Sequence, residues 1–295
     1  MSDEVQMSAD IALLRRVDRY LDAAPRISAE AIDVGPLRAF VTSAPWPYYI
    51  RPRPDLDLTA SSAVTAEEVR RAAGLLERVS QPVAFEWVTE LVPSLADVLA
   101  AEGYVVHIHP LLVRELHGST DDEPGDAADD GPRGRRHHDH DLRGRLLRAD
   151  DDVAVAMSLR VSDLGFSVRG TSVGEAGTAE RDATQVDSSL VEFVRQRIRT
   201  RRSVVAVADV TAAGVVATGW HQPIDEETEV VGVATVPAFR RQGAGAAVVR
   251  TLLDDAARRG VTLALLSADD DAVARVYERV GFTRIGHTGA AQPPA

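Results

Sequence analysis

The chain has 295 residues, 45% of them hydrophobic, and this length predicts about two domains. It contains no Cys, which excludes disulfides and thiolate metal sites. Its formal net charge is -12, which argues against nucleic acid as a partner, and no apolar run reaches the roughly 18 residues of a membrane span.

The first 120 residues are predicted to form an α/β domain. The opening sequence is acidic and polar, unlike a signal peptide, so we expect a cytoplasmic protein. Thr65 and Glu68 have the spacing of a capping box, which marks a helix start. The predicted helices span 8–23, Thr65–Val79 and Pro93–Ala101, and the predicted strands span Val83–Val88 and Tyr104–Val113.

Residues 121–145 are predicted to be a disordered linker, because Asp, Gly, Pro and Arg dominate and large apolar residues are almost absent. His137, His138 and His140 could bind a metal in principle. A scattered His cluster in an acidic tract is more often simply solvated, so we expect no metal site.

Residues 146–288 are predicted to form a second domain, followed by a flexible tail over 289–295. After two helices, strands follow in succession and then alternate with helices, which indicates an α/β sheet of mixed direction. The predicted helices are Asp152–Leu164, Ser188–Thr200, Gly243–Arg259 and Asp271–Val280. The predicted strands are Val204–Ala208, Val215–Trp220, Glu229–Val236, Thr262–Ser267 and Phe282–His287.

The segment from Glu229 to Leu253 carries the strongest chemical signal. An apolar strand ends at Pro237, a basic turn with Gly243 and Gly245 follows, and a helix of small residues begins. Such a junction directs backbone N–H groups and the positive end of the helix dipole at an anion. An ordinary strand-to-helix turn remains the alternative.

This turn resembles the acetyl-CoA loop of the GNAT acetyltransferases, whose pattern Gln/Arg-x-x-Gly-x-Gly/Ala is met by Arg240, Gly243 and Gly245. A second family element follows in Asp270–Phe282, where Tyr277, Gly281 and Phe282 match. Asp270 stands where the family usually has Asn.

The resemblance implies a mixed, mostly antiparallel sheet flanked by helices, of the α/β (α+β) class. It also implies acetyl-CoA as co-substrate and no metal. The cofactor-binding residues it implies lie on the strand, the turn and the last helix. They are Val233, Ala234, Thr235, Val236, Arg240, Arg241, Gln242, Gly243, Ala244, Gly245, Ala246 and Asp270.

The N-terminal half shows a weaker likeness to the same family. Glu86, Pro93, Leu95 and the pair Gly103-Tyr104 follow the order of the family's closing element, but no acetyl-CoA loop precedes residue 120. This half resembles the degenerate, non-catalytic half of tandem GNAT proteins. An unrelated α/β domain is the alternative.

Three residues are candidates for proton transfer. By resemblance, Tyr277 protonates the leaving thiolate, unless its ring only packs against the sheet. Glu229, eleven residues before Arg240, draws a proton from the amine, unless it is only a strand-edge carboxylate. His221 is a further candidate base or pocket residue, with a plain loop His as the alternative.

The predicted function is therefore transfer of acetyl from acetyl-CoA to a primary amine of a small molecule by direct attack. No Cys is available for a covalent intermediate. A non-catalytic acyl-CoA sensor is the main alternative. Acyl transfer involving tRNA or ribosomal protein is a third hypothesis, which the acidic charge disfavours.

Overall fold

The structure is a computed structural model that describes residues 2–60, 63–117, 142 and 144–294, with side chains from Asp10 onward. Most of the predicted linker, with His137, His138 and His140, lies outside the described residues. The helices are α1 Ser2–Ala23, α2 Ala66–Arg78, α3 Leu95–Ala101, α4 Asp152–Ser167, α5 Thr178–Ala183, α6 Ser188–Arg199, α7 Ala244–Arg258 and α8 Asp271–Glu278. The strands are β1 Ala29–Val34, β2 Leu37–Thr42, β3 Ile50–Pro52, β4 Phe85–Val88, β5 Val105–Glu115, β6 Gly144–Leu146, β7 Val204–Val210, β8 Gly214–Ile224, β9 Glu227–Thr235, β10 Leu263–Ser267 and β11 Thr283–Gln292.

The chain forms two compact units. The first unit contains Met1–Arg114 together with Leu265–Ala295, and the second contains Glu115–Ala264. The predicted order of one domain after the other therefore differs from the structure, because the last part of the chain joins the N-terminal residues. The division between the units falls inside β10.

The first unit has a sheet with the strand order β1-β2-β3-β4-β11-β5. Its pairs are antiparallel except β3 with β4, which is parallel. Helix α1 contributes two buried carboxylates to ion pairs with sheet residues: Asp18 pairs with Arg51 of β3, and Asp22 with Arg38 of β2.

Strand β11 extends into the segment predicted to be a tail. Residues 283–292 pair with β5, and residues 288–291 also pair with β4. Close packing of Gly289 against Trp87 explains why this segment of β11 lies beside β4. A Cβ placed on Gly289 would lie 2.2 Å from a carbon of the fully buried Trp87 ring, so only Gly allows this close packing.

The second unit has the antiparallel strand order β9-β8-β7-β6. Strand β6 begins at Gly144, so the predicted linker ends slightly earlier than residue 145. Helices α4 and α6 share an apolar core with the sheet that includes Val155, Val194 and Val205. Helix α7 lies against β8, where a Cβ on Gly219 would lie 2.9 Å from Val248.

Mixed α/β architecture with mostly antiparallel strands is thus confirmed in both units. Side-chain caps define where several helices begin, as the sequence predicted for Thr65 and Glu68, which form the capping box of α2. Asp151, Asp187 and Asp270 cap α4, α6 and α8 by accepting from backbone N–H groups.

Candidate functional site

Strand β9 carries a bulge just before the residues predicted to bind the cofactor. Thr218 pairs with Ala234 and Trp220 with Val231, so Gly232 and Val233 both lie opposite Gly219. Gly232 adopts φ +62°, a left-handed conformation that Gly reaches without strain. A bulge bends a strand and redirects its side chains. The course of Val233–Thr235 is therefore set by Gly232, which the sequence analysis had not singled out.

The end of β9 is packed tightly within the second unit. Val236 N donates to Val216 O at 2.9 Å and keeps the chain on β8. Ala234 contacts α4, since a Cβ on Gly165 would lie 2.8 Å from the Ala234 Cβ. Thr235 lies toward α7, where a Cβ on Gly245 would be 3.3 Å from Thr235 Oγ1. Gly245 therefore brings strand and helix together.

The turn into α7 has the backbone of an anion site. Arg241 (φ +62°) and Gly243 (φ +88°) both adopt left-handed conformations. This conformation is uncommon for a residue other than Gly, such as Arg241. When left-handed and right-handed conformations alternate along a turn, successive backbone N–H groups point into one concavity. A non-Gly residue held there carries backbone strain of a sort found at ligand sites.

Helix α7 begins without a side-chain cap. Gly243 stands at the N-cap, and the first helical bond runs from Ala247 N to Gly243 O at 2.9 Å. The N–H groups of Ala244, Gly245 and Ala246 therefore have no acceptor inside the helix. Acidic caps serve α4, α6 and α8, whereas α7 leaves its positive end available to a bound anion.

Arg240 has a role different from the predicted one. Its side chain is buried, and it donates to Gly165 O at 2.8 Å, Val168 O at 2.7 Å and Ser172 O at 3.3 Å. The guanidinium thus binds the carbonyl groups at and beyond the end of α4 and does not extend toward a phosphate. Burial lowers the pKa of Arg240, since it disfavours the charged guanidinium. The carbonyl partners are neutral and supply no charge to offset this effect.

Two backbone hydrogen bonds reinforce this link between the turn and the segment after α4. Gly174 N donates to Pro237 O at 3.1 Å, and Ala238 N donates to Ala176 O at 3.0 Å. The exposed side chains beside the α7 N-terminus are those of Arg241 and Gln242. Of the two arginines in the turn, Arg241 is the one placed to add charge at this end of the helix.

His221 is not the accessible base that the sequence allowed. It lies inside β8 and is fully buried, with Nδ1 2.9 Å from Thr228 Oγ1 and Nε2 3.0 Å from Asp255 Oδ2. Burial opposes ionisation of Asp255, but hydrogen bonds from His221 and Arg259 hold its pKa below the ordinary value. Both imidazole nitrogens are occupied, so the ring joins α7 to the β8–β9 hairpin and has no nitrogen left for an amine.

Glu229 lies near the start of β9, opposite Gln222 of β8, and is half-buried. Gln222 in turn accepts a hydrogen bond from Arg197 of α6 at 2.8 Å. Glu229 is thus in a polar environment at one end of the strand whose other end carries the bulge and the residues predicted to bind the cofactor.

Asp270 and Tyr277 belong to the first unit. Asp270 accepts from Val273 N at 2.8 Å, so its carboxylate caps α8, a role that Asn fills equally well. Tyr277 is half-buried, and its ring meets Phe282 edge-on with centroids 5.9 Å apart. Burial raises the pKa of Tyr277, so the hydroxyl stays protonated at neutral pH.

Two other features, a metal site and a membrane-spanning helix, are not observed in the described part of the chain. Among those residues, no group of three or more His, Asp or Glu side chains is placed to hold a metal ion. Within the same residues, every helix is too short or too polar to cross a bilayer.

Comparison with known proteins agrees with the resemblance of the β9–α7 segment to the GNAT family. Residues 177–282 match the Acetyltransferase (GNAT) family. Over 74 residues the chain is 38% identical to the N-alpha-acetyltransferase RimI of Mycobacterium tuberculosis (strain ATCC 25618 / H37Rv). That match covers 25% of this chain and 45% of the relative, so the chain spans less than half of the curated relative's length.

Similar solved structures extend over nearly the whole chain. A GCN5-related N-acetyltransferase from Kribbella flavida has a TM-score of 0.63 at 19% identity, with 96% of each chain covered. A conserved protein of unknown function from Staphylococcus epidermidis ATCC 12228 has a TM-score of 0.54 at 13% identity, covering 89% of this chain and 93% of that one. These TM-scores show a shared fold. Residues 177–282 are thus similar to the Acetyltransferase (GNAT) family in sequence, and the chain shares its fold with a GCN5-related N-acetyltransferase.

Proposed function

We propose that this chain is an acetyl-CoA-dependent N-acetyltransferase that acts on a primary amine of a small molecule. The observation that carries the proposal is the junction of bulged β9, left-handed turn and uncapped α7 N-terminus. It supplies several N–H groups that have no acceptor inside the helix and could bind a pyrophosphate, and it lies inside the range that matches the family. In this proposal Val233–Val236 pair with the pantetheine arm and Arg241–Ala246 hold the pyrophosphate.

The proposed reaction is a direct transfer. The amine nitrogen attacks the thioester carbonyl carbon, the C–S bond then breaks, and an amide and free CoA result. Glu229 takes the proton that the attacking amine loses, through water, and Tyr277 donates to the departing sulfur. An alkyl thiol has a pKa of about 8.5, below that of Tyr277, so the tyrosine contributes by donating a hydrogen bond as charge develops on sulfur.

A CoA-release assay tests this function. Purified protein, acetyl-CoA and single amines are combined, and free thiol is measured. The panel contains polyamines, amino sugars, amino acids and a short peptide with a free α-amino group, because the relative RimI is named an N-alpha-acetyltransferase. Amine-dependent release by a small molecule supports the proposal, and release only with the peptide would change the acceptor class.

A sensor that binds acyl-CoA without turnover is the second candidate. The use of the Asp270 carboxylate as a helix cap favours it, since that side chain is then less available to the cofactor. Calorimetric binding of acetyl-CoA together with no thiol release across the panel would favour the sensor over the enzyme.

Glu229→Gln is expected to slow acetyl transfer at neutral pH by roughly 10- to 100-fold. The amide cannot accept a proton, so the variant should recover toward the wild-type rate at high pH, where the free amine is already abundant. Rates of the variant and the wild type, measured between neutral and alkaline pH, give the variant-to-wild-type ratio at each pH. Glu227→Gln, two residues away on the same strand, is the matched control and should keep the wild-type profile. A variant-to-wild-type ratio that does not change with pH would contradict a base role for Glu229.

A further inference from the structure

The hairpin of β8 and β9 places an amide side chain beside Glu229, on the face of the second-unit sheet that α6 covers. Val205 of β7 packs in one apolar core with Val194 of α6, and Val205 pairs with Trp220 of β8. Paired residues share a face of a sheet, and so do residues two apart on one strand. Gln222 and its partner Glu229 therefore lie on the face covered by α6.

Arg197 reaches this face from α6, one helical turn after Val194. Its side chain is buried, and Nη2 donates to Gln222 Oε1 at 2.8 Å. Nε donates to Ser203 Oγ at 2.8 Å, and the guanidinium carbon lies 5.8 Å from the centre of the Phe193 ring. Contacts from several sides thus hold the guanidinium in one place.

The orientation of the Gln222 amide follows from this contact. A guanidinium has donors and no acceptor, so the oxygen of Gln222 must face Arg197. The amide nitrogen, with its two N–H donors, is then directed away from Arg197. Glu229 is directly opposite Gln222, and Cβ atoms in such a pair are about 5 Å apart. An ionised carboxylate only accepts, so the two side chains are complementary.

The charges on this face also call for a positive group near Glu229. Glu227 pairs with Ile224, so it lies on the same face two residues before Glu229, and the two negative charges repel each other. Arg197 supplies a positive charge behind the Gln222 amide. Both the charge and the amide donor favour the ionised form of Glu229, which is the form that can take a proton.

The position of Glu229 matters as much as its charge. Proton transfer requires a base within hydrogen-bond reach of the proton, directly or through one water. A free glutamate side chain samples many rotamers, and fixing it costs conformational entropy. A donor that is already oriented by the fold meets this cost before the acceptor amine binds.

We propose that Arg197 and Gln222 are positioning residues for Glu229. Arg197 orients the amide of Gln222, and the amide nitrogen donates to the Glu229 carboxylate and holds it where it takes the proton from the attacking amine. This inference rests on the proposed function. All three residues belong to the second unit, which also carries the cofactor turn.

Gln222→Glu tests the proposal, because it changes one end of the amide and keeps the other. The new carboxylate still accepts from Arg197, but it replaces the donor to Glu229 with a like charge. The rate of acetyl transfer at neutral pH should fall roughly 10-fold, the usual worth of a hydrogen bond to a charged group, with unchanged acetyl-CoA affinity by calorimetry. Gln196→Glu is the matched control and should keep the wild-type rate, since the exposed Gln196 accepts from Arg199 at 2.7 Å in the same way.

The same substitution in a Glu229→Gln background separates positioning from a merely structural role. If Gln222 acts through Glu229, Gln222→Glu should change the rate less than about twofold once the Glu229 carboxylate is absent. Arg197→Lys, which loses the fork of donors to Gln222 and Ser203, should likewise slow the wild type and not the Glu229→Gln protein. An equal fold-loss in both backgrounds, or a wild-type rate in Gln222→Glu, overturns the proposal.

Unfolding temperatures of the same proteins test the contact without turnover. Like charges at positions 222 and 229 repel, so Gln222→Glu should lower the unfolding temperature more in the wild type than in Glu229→Gln. Equal shifts in both backgrounds overturn the contact. Amine-dependent CoA release with no effect of Gln222→Glu defeats this inference alone. No release from any panel amine defeats the proposed function, and equal shifts then defeat the inference too.

Discussion

Gly243→Val is expected to abolish acetyl-CoA binding, with a loss of affinity of at least about 100-fold, in a protein that remains folded. A Cβ on Gly243 meets no protein atom within 4 Å, so the valine side chain would project into open space in front of the α7 N-terminus. That space is where the proposed pyrophosphate would sit. Calorimetry with acetyl-CoA measures the loss, and wild-type affinity would remove the cofactor from this turn.

The control for this variant lies at the other end of the same helix. Gly260 has φ +81°, and a Cβ there also meets nothing within 4 Å. Gly260→Val therefore introduces the same left-handed strain, about 1–2 kcal/mol, without approaching the anion site. Equal loss of affinity in the two variants would point to strain and not to a blocked phosphate. Gly245→Val is less suitable, because its Cβ would press against Thr235.

Tyr277→Phe is expected to lower the turnover rate by roughly 10- to 1000-fold, while acetyl-CoA affinity stays nearly unchanged. The substitution keeps the ring and its edge-on contact with Phe282 but removes the hydroxyl donor. Because its raised pKa keeps the hydroxyl protonated at neutral pH, the effect should not vary between pH 6 and about 9. Steady-state rates and calorimetry on the same preparation separate chemistry from binding.

Tyr104→Phe is the matched control for this variant. Tyr104 is also half-buried in the first unit and packs edge-on against Phe85, with ring centroids 5.1 Å apart. Loss of its hydroxyl should leave the rate unchanged. If Tyr277→Phe lowers acetyl-CoA affinity and rate in proportion, the tyrosine is structural and donates no hydrogen bond to the departing sulfur.

The sequence by itself determined most of the helices and strands, because their signals are local. The α2 capping box was readable from Thr65 and Glu68, three residues apart. The Gly-rich turn before α7 was readable in the same way. The hairpin of β1 and β2 was not predicted, although Gly35 and Pro36 separate two runs of strand-forming residues and could have marked it.

The tertiary structure alone decided which side chains are available for chemistry. Arg240 and His221 look like site residues in the sequence. In the structure Arg240 donates to carbonyl groups at and beyond the end of α4, 68 to 75 residues away along the chain. His221 contacts Asp255 of α7, 34 residues away, besides the nearby Thr228. No local pattern encodes such distant partners. They arise when strands pair and helices cover them.

The same reason explains the end of the chain. Residues 289–292 are small or polar and suggest a tail, yet Gly289 is required beneath Trp87, some 200 residues earlier. Propensity and capping act over a few residues, so the sequence determined most of the elements and the Gly-rich turn before α7. Burial and strand register depend on the whole chain, so only the folded structure decided what surrounds each site residue.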